Sequence, residues 1–272
     1  MTTVGAIFRP DYPPEQALAA AHAADQAGLD ELWLWEDCFT EGGVSTATAM
    51  LTATTRLRVG IGLLPAPLRN VALTAMELTV LERMFPGRLI PGVGHGVQDW
   101  MGQAGVRAES PITLLREYLI ALRRLLSGEE VTAEGRYVRL DRVRLRWPPA
   151  TPPPLYSGGY GPNTLRLCGE LADGTVVSSG SSPESLRQIV GLVEEGRARG
   201  NVQRPHRIIV FVDVSAGPDG EGVSGSPQQV ADGLRRWIDA GADTVLLQPG
   251  PDLDDLAAFL RLAAEDVAPL LR

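Results

Sequence analysis

Two adjacent carboxylates, Glu36 and Asp37, follow Trp35 where a short apolar run ends. A carboxyl group beside an indole loses hydration, which raises its pKa toward the working range of a general acid. Asp37 and Glu36 are therefore candidate proton carriers, with helix capping or an ion pair to a nearby arginine as the competing assignment. His95 stands between Gly94 and Gly96 and offers a second acid–base group, or a structural hydrogen bond. Ser157-Gly158-Gly159 precedes a helix predicted from Pro162, so free backbone N–H groups there would meet the positive end of a helix. Such a turn is a natural phosphate seat. Phe8, Trp35, Asp99 and Trp100 are candidate walls for a substrate. Arg69, after a proline turn, suits either a phosphate contact or an ion pair, while His22 and His206 read as structural or solvated. Cys38 and Cys168 have neither metal-ligand nor CxxC spacing, and no metal is expected. All 25 basic residues are arginine, because the chain contains no lysine. That excludes a Schiff-base lysine and with it many barrel aldolases and PLP enzymes.

The elements that must hold these groups alternate strand and helix. Apolar runs predict strands at Val4–Phe8, Leu32–Trp35, Leu57–Leu64, Arg88–Val93, Leu155–Ser157, Thr175–Ser178, Arg207–Val212 and Thr244–Gln248. Helices are expected at Pro14–Ala27, Ser45–Thr54, Val71–Phe85, from Ser110-Pro111 to Gly128, at Pro162–Leu171, from Ser182-Pro183 to near Gly200, after a capping box of Ser226 and Gln229, and from Asp252. A Gly/Ser/Asp loop is expected from Ser215 to Gly225. Between Gly135 and Trp147 the rhythm changes. Val143, Leu145 and Trp147 alternate with Arg142, Arg144 and Arg146, as in an exposed hairpin with a wet arginine face. Eight strand–helix pairs predict an α/β chain closed into a (β/α)8 barrel, one domain over residues 1–272. A small hairpin insertion at about 130–150 follows the fourth helix. A doubly wound open sheet is the alternative. Against it, no strand–GxGxxG–helix opens the chain, and no helix is expected directly after Gly92, Gly94 and Gly96. In a barrel the strand C-termini form the functional face, which gathers Phe8, Trp35 to Asp37, Gly62 to Pro65, Gly94 to Gly96, Ser157 to Gly159, Ser178-Ser179, Asp213 and Gln248.

Totals narrow the partners. With 272 residues, 44% of them hydrophobic, and a net charge of −8, the chain suits a large core and a small-molecule substrate, not nucleic acid or an anionic membrane. No signal peptide or bilayer-spanning run is read, and the two cysteines fit a cytoplasmic protein.

The segments AADQAGLDELWLWED, LRVGIGLLPAPLRNVALTAMELTVLERMFPGRLIPGVGHG, GGYGPNTLRLCGELADG and GSPQQVADGLRRWIDAGADTVLLQP run in order along nearly the whole chain. Together they resemble the bacterial luciferase-like monooxygenase superfamily, and within it the branch that uses the deazaflavin coenzyme F420. The resemblance implies an isoalloxazine-like ring in the barrel mouth and an oxidoreductase that moves hydride between F420 and a small organic substrate. FMN with molecular oxygen, as in a monooxygenase, is the alternative cofactor. It also implies a bulge with a non-proline cis peptide matched by Gly62–Leu63. The ring would lie near Gly62, Leu63, Leu64, Gly94, His95 and Gly96, with the phosphate end at Ser157, Gly158, Gly159 and Thr164. Relatives are often dimers, so a homodimer is expected. The chain departs from the pattern at Glu36-Asp37, where F420 relatives commonly read Asp-His, and at Val97, where some carry glutamate. A barrel that binds cofactor without catalysis is therefore a second expectation. A sugar-phosphate isomerase or aldolase is a third, weakened by the absence of lysine.

Overall fold

A computed structural model describes residues 2–214, 222–250 and 253–272. Eight parallel strands close into a barrel: β1 (Thr3–Ile7), β2 (Glu31–Leu34), β3 (Arg58–Pro65), β4 (Leu89–Gly94), then β7 (Tyr156–Gly158), β8 (Gly174–Val177), β9 (Arg207–Val214) and β10 (Thr244–Pro249). The intervening β5 (Val131–Glu134) and β6 (Arg139–Val143) form a separate antiparallel pair. Helices α1 (Ala17–Ala27), α2 (Gly43–Ala53), α3 (Val71–Met84), α4 (Gln98–Gln103), α5 (Pro111–Leu126), α6 (Pro162–Leu171), α7 (Pro183–Arg199), α8 (Pro227–Asp239), α9 (Leu256–Arg261) and α10 (Ala268–Leu271) complete the described elements, with a π-helical stretch at Leu262–Val267. The (β/α)8 expectation holds.

Local chemistry sets the boundaries. Gly28 ends α1 with φ +78°, a left-handed conformation that a side chain would disfavour. Asn70 Oδ1 caps α3 by accepting from Ala72 N, and the reciprocal Ser226–Gln229 capping box opens α8. Asp173 and Asp243, at the helix exits, accept the backbone N–H groups of Leu155 and Ile208 and so steer entry into neighbouring strands. Strand parity divides the apolar residues between two cores. A small inner cluster fills the barrel with Ile7, Trp33, Ile90, Tyr156, Val176, Ile209, Phe211 and Leu246. The larger cluster joins strands to helices.

Several expectations need correction. The hairpin lies within the expected 130–150 but ends sooner than its alternation implies: β5 precedes Gly135, and Arg144–Trp147 is not strand. Arg142 takes φ +50°, which breaks the extended run, and Trp147 is exposed beneath the Arg83 and Arg146 guanidinium groups. A short helix, α4, starts just after the glycine loop, so the hairpin follows the fifth helix, not the fourth. Ser110 does not cap α5, since its hydroxyl meets Thr113 Oγ1 at 2.8 Å. The expected loop at Ser215–Gly225 and the helix start at Asp252 fall largely outside the described residues.

Candidate active site

The floor of the barrel mouth is shaped by an irregularity in β3. Pairing with β4 runs Ile61 to Pro91 and then Leu64 to Val93, so β3 holds one extra residue. The Gly62–Leu63 peptide within this bulge is cis, as the resemblance implies. The bulge turns Leu63 inward, onto the inner aromatic core. Room for it comes from three glycines. A Cβ on Gly92 would lie 2.6 Å from a Leu63 methyl, one on Gly94 2.7 Å, and one on Gly158 3.4 Å. Beneath Leu63, Phe211 stacks on Trp35 at 6.0 Å between centroids and meets Trp33 edge-on at 6.3 Å.

Above this floor opens a cleft of about 160 Å³ lined by Trp35, Glu36, Asp37, Gly62–Pro65, Gly94–Val97, Trp100 and Gly158–Tyr160. Its volume is below the roughly 300–1,000 Å³ of an enclosing small-molecule pocket, so a flat ligand would be gripped on one side and open on the other. One wall is apolar, through Trp35, Leu63, Leu64, Pro65 and Trp100. The opposite rim is backbone, at the glycines of β4 and β7.

Asp37 and Trp35 form the polar edge. The Trp35 indole N–H donates to Asp37 Oδ2 at 2.8 Å, and Thr40 returns its N–H and hydroxyl to the Asp37 carbonyl. Burial pushes the Asp37 carboxyl above its ordinary value; the Trp35 bond opposes this and the charge of Asp11 adds to it. With Oδ2 held by Trp35, Asp37 Oδ1 is the carboxyl oxygen left available to a ligand.

Glu36 has a different environment, although it reaches the same cleft. Its Oε1 meets Arg69 Nη1 at 2.5 Å, while Oε2 accepts Gly43 N–H at 2.7 Å. The carboxylate is committed to a cation and a helix N-terminus. Arg69 is an ion-pair residue buried behind the cleft wall, without contact to the β7 rim where a phosphate would sit.

On the far side, the His95 Nδ1–H donates to the Gly96 carbonyl at 3.0 Å, leaving Nε2 as the ring nitrogen turned toward Gly159. Gly159 leads to α6, whose N-cap is Gly161 and whose first residue, Pro162, has no N–H. Asn163 and Thr164 therefore present the first N–H groups of the helix, since Leu165 N already bonds to Gly161 O.

Four expected site residues lie away from the cleft surface. Phe8 is fully buried in the outer core against Tyr12, because its place in β1's alternation turns it toward the helices; it is not a substrate wall. Asp99 is exposed and pairs with Arg107 at 2.9 Å. Ser157 spends its hydroxyl on the Val93 carbonyl at 2.7 Å, tying β7 to β4. The Thr164 side chain packs under Gly159, so only its backbone faces the loop. Conversely, Tyr160 lines the cleft without having been singled out, and Pro65 and Val97, noted in the sequence but given no role, line it too. Tyr160 followed the glycine pair in sequence, and that adjacency was the available signal. A second non-proline cis peptide, Cys38–Phe39, had no sequence signal.

The features fit a flat, phosphate-tailed cofactor: a glycine rim that a Cβ would fill, an apolar wall, and uncapped helix N–H groups at one end. Comparison with known proteins points the same way. The luciferase-like monooxygenase family matches residues 2–223. A 5,10-methylenetetrahydromethanopterin reductase from Methanolobus tindarius is 30% identical over 194 residues, 71% of this chain and 59% of that protein. The match thus takes in about three-fifths of the relative's length. Among solved structures, the coenzyme F420-dependent tetrahydromethanopterin reductase from Methanopyrus kandleri superposes with a TM-score of 0.87 at 20% identity, over 100% of this chain and 99% of the other. The oxygenating constituent of 3,6-diketocamphane monooxygenase from Pseudomonas putida, in complex with FMN, gives 0.82 at 18% identity over 98% of each chain. Both share the fold; the fold alone does not choose between their cofactors. The chain belongs to the luciferase-like monooxygenase family.

Proposed function

We propose that the whole chain acts as one barrel enzyme, an oxidoreductase that transfers hydride between bound coenzyme F420 and a small organic substrate. The observation that carries this reading is the cleft itself, where the Leu63 bulge and the β4 and β7 glycines face the Trp35–Asp37 pair. Bound F420 would supply hydride transfer without activating oxygen. The chain's residues do the rest. Leu63, Leu64, Pro65 and Trp35 keep water from the inner face of the cleft, and Trp100 closes its outer side. Gly94, His95 and Gly96 form the rim beside the ring, while Gly158, Gly159 and the N–H groups at Asn163 and Thr164 would hold a phosphate. Asp37 holds or delivers a proton at Oδ1 while Trp35 fixes Oδ2.

FMN with oxygen is the second reading, favoured by the shared fold of an FMN-bound monooxygenase. Titrating purified protein with F420 and with FMN, by fluorescence and calorimetry, separates the two. Tight binding of F420 alone is expected; binding of neither overturns both. Hydride exchange with reduced cofactor then distinguishes an enzyme from a catalytically silent barrel. A homodimer accompanies this reading. It is supported by the exposed stripe of Leu73, Met76, Val80 and Met84 along α3, where positions i, i+3, i+7 and i+11 share one face. Light scattering on the parent and on Met76→Glu tests it, with a monomeric parent as the refuting result. Residence in the cytoplasm fits the two free cysteines. No described helix is long and apolar enough to cross a membrane.

A further inference from the structure

We propose that Arg69 and Glu36 form a positioning strut that fixes the distance between the two loops building the cleft. The assignment rests on the cofactor-binding role just given and adds a residue, Arg69, that lines no part of the cleft. Glu36 belongs to the loop after β2, next to Asp37. Arg69 follows the short turn Ala66–Leu68 that leaves the bulged end of β3, which carries Leu63, Leu64 and Pro65. The fork of Arg69 closes on Glu36 through Nη1 at 2.5 Å and Nη2 at 3.3 Å. The same carboxylate takes the Gly43 N–H at the start of α2, and Arg69 Nε lies 3.7 Å from Glu77 on α3. These contacts therefore tie the β2 loop, the β3 loop, the entry of α2 and the middle of α3. Its burial, 16% exposure for the Arg69 side chain and 8% for Glu36, makes it rigid in a way that a solvated pair is not. Burial weakens the Arg69 charge, but the bond to Glu36 and the charges of Glu36 and Glu77 outweigh that and hold its pKa above the ordinary value. The cleft wall bearing Asp37 and the floor bearing Leu63 are thus joined outside the cleft itself.

Positioning and simple electrostatics predict opposite patterns, which provides the test. F420 and FMN are anionic. If Arg69 acted only as charge, Arg69→Met would weaken cofactor binding and Glu36→Gln would strengthen it. A strut fails from either end, so both variants should bind cofactor at least about tenfold more weakly, since small misplacements at a site are amplified. A second readout needs no cofactor: the pH transition of tryptophan emission that disappears in Asp37→Asn and so reports the Trp35–Asp37 contact. Asp37 is faced by Asp11 with Arg9 from the β1 loop, by Glu36 and Cys38 on its own loop, and across the cleft by His95 and Tyr160; Arg69 and Glu77 stand behind Glu36. The midpoint should rise in Arg69→Met, which bares the Glu36 charge, and fall in Glu36→Gln, while the amplitude shrinks in both. Glu36→Gln that binds cofactor as tightly as the parent, with full amplitude, overturns the strut. If Arg69→Met does not fold, Glu36→Gln decides alone. If the parent binds neither cofactor, the function proposed above fails, and the emission amplitudes still judge the strut.

Discussion

Strand β2 carries an indole–carboxylate pair at each end, and the surroundings of the two pairs are opposite. At the N-terminal end, Trp33 donates to Glu31 Oε2 at 2.7 Å, and Glu31 is wholly buried. Its other oxygen is shared by Arg58 and Arg207, and Arg207 also binds the Thr3 and Thr244 hydroxyls. Every strand start nearby contributes to closing that end. At the C-terminal end, Trp35 makes the same contact to Asp37, but among the described residues no arginine bonds to it, and it opens on a cleft of glycines and apolar side chains with Glu36, His95 and Tyr160 at its edges. One carboxylate is paired with two arginines and is structural. The other is desolvated without an arginine partner, which is the ground for the proton role proposed above. A tryptophan and a carboxylate two residues apart recur, and what differs is the number of cations within reach.

The comparison can be broken first at its structural end. Glu31→Ala strands Arg58, Arg207 and the Trp33 N–H, and should cost about 3 kcal/mol, read from the urea midpoint. A loss below about 1 kcal/mol would mean the closed end is not held by this network. At the open end, Asp37→Asn keeps an acceptor for Trp35. Turnover should fall by at least about tenfold, roughly 1.4 kcal/mol or more. Stability should move the other way. Because the folded carboxyl titrates above its ordinary value of 3.8, the folded state binds more protons between the two values, and stability falls as pH rises through that window. Asn removes that loss, so the variant should be at least as stable as the parent at neutral pH; a clearly less stable variant would make Asp37 structural after all.

His206 sharpens the closed end further. It pairs with Thr175 at 2.9 Å, and burial, with the charges of Arg197 and Arg204, depresses its pKa from 6.5 to about 4. Between those values the unfolded chain binds more protons, so stability should drop as pH is lowered through the window, by about 3 kcal/mol. His206→Gln should flatten that limb. The smallest effect is expected away from both ends. Glu117 on α5 accepts the N–H groups of Arg136, Tyr137 and Val138 at 2.8–3.0 Å and so docks the β5–β6 hairpin. These bonds outweigh burial and hold its pKa below the ordinary value. Glu117→Gln should cost about 1 kcal/mol, with cofactor affinity unchanged; weaker binding would tie the hairpin to the cleft.

Most of the fold could be read because the period of the apolar residues and the caps agree. Gly28, Asn70, the Ser226–Gln229 box and the proline-led helices each act within a few residues, where sequence speaks directly. The site was legible in part. Asp37, Trp35 and the glycine turns lie at strand ends, and any barrel reading gathers them. Phe8 was misassigned because a strand end has two faces: Ile7 already points into the barrel, so its neighbour must point out. Asp99 was lost to Arg107, eight residues on, through a helix too short to announce itself. The Glu36–Arg69 contact spans 33 residues and depends on how two loops fold over each other, which no local pattern encodes. Val131–Glu134 was covered only by the hairpin's outer bounds, because a four-residue alternation is too short to announce a strand by itself.

Leu63 occupies a niche made by omission, with Gly92 and Gly94 each leaving out a carbon that would dislodge it and Gly158 bounding the far side at contact distance. Two strands, β4 and β7, must therefore stay bare beside it; at Gly158 a Cβ would also lie 2.4 Å from the Val176 carbonyl oxygen. An alanine at Gly94 would lift the leucine into the opening and shrink the space for a guest while the strands around it kept their pairing. The width of the entrance is in this sense recorded in atoms the chain does not have.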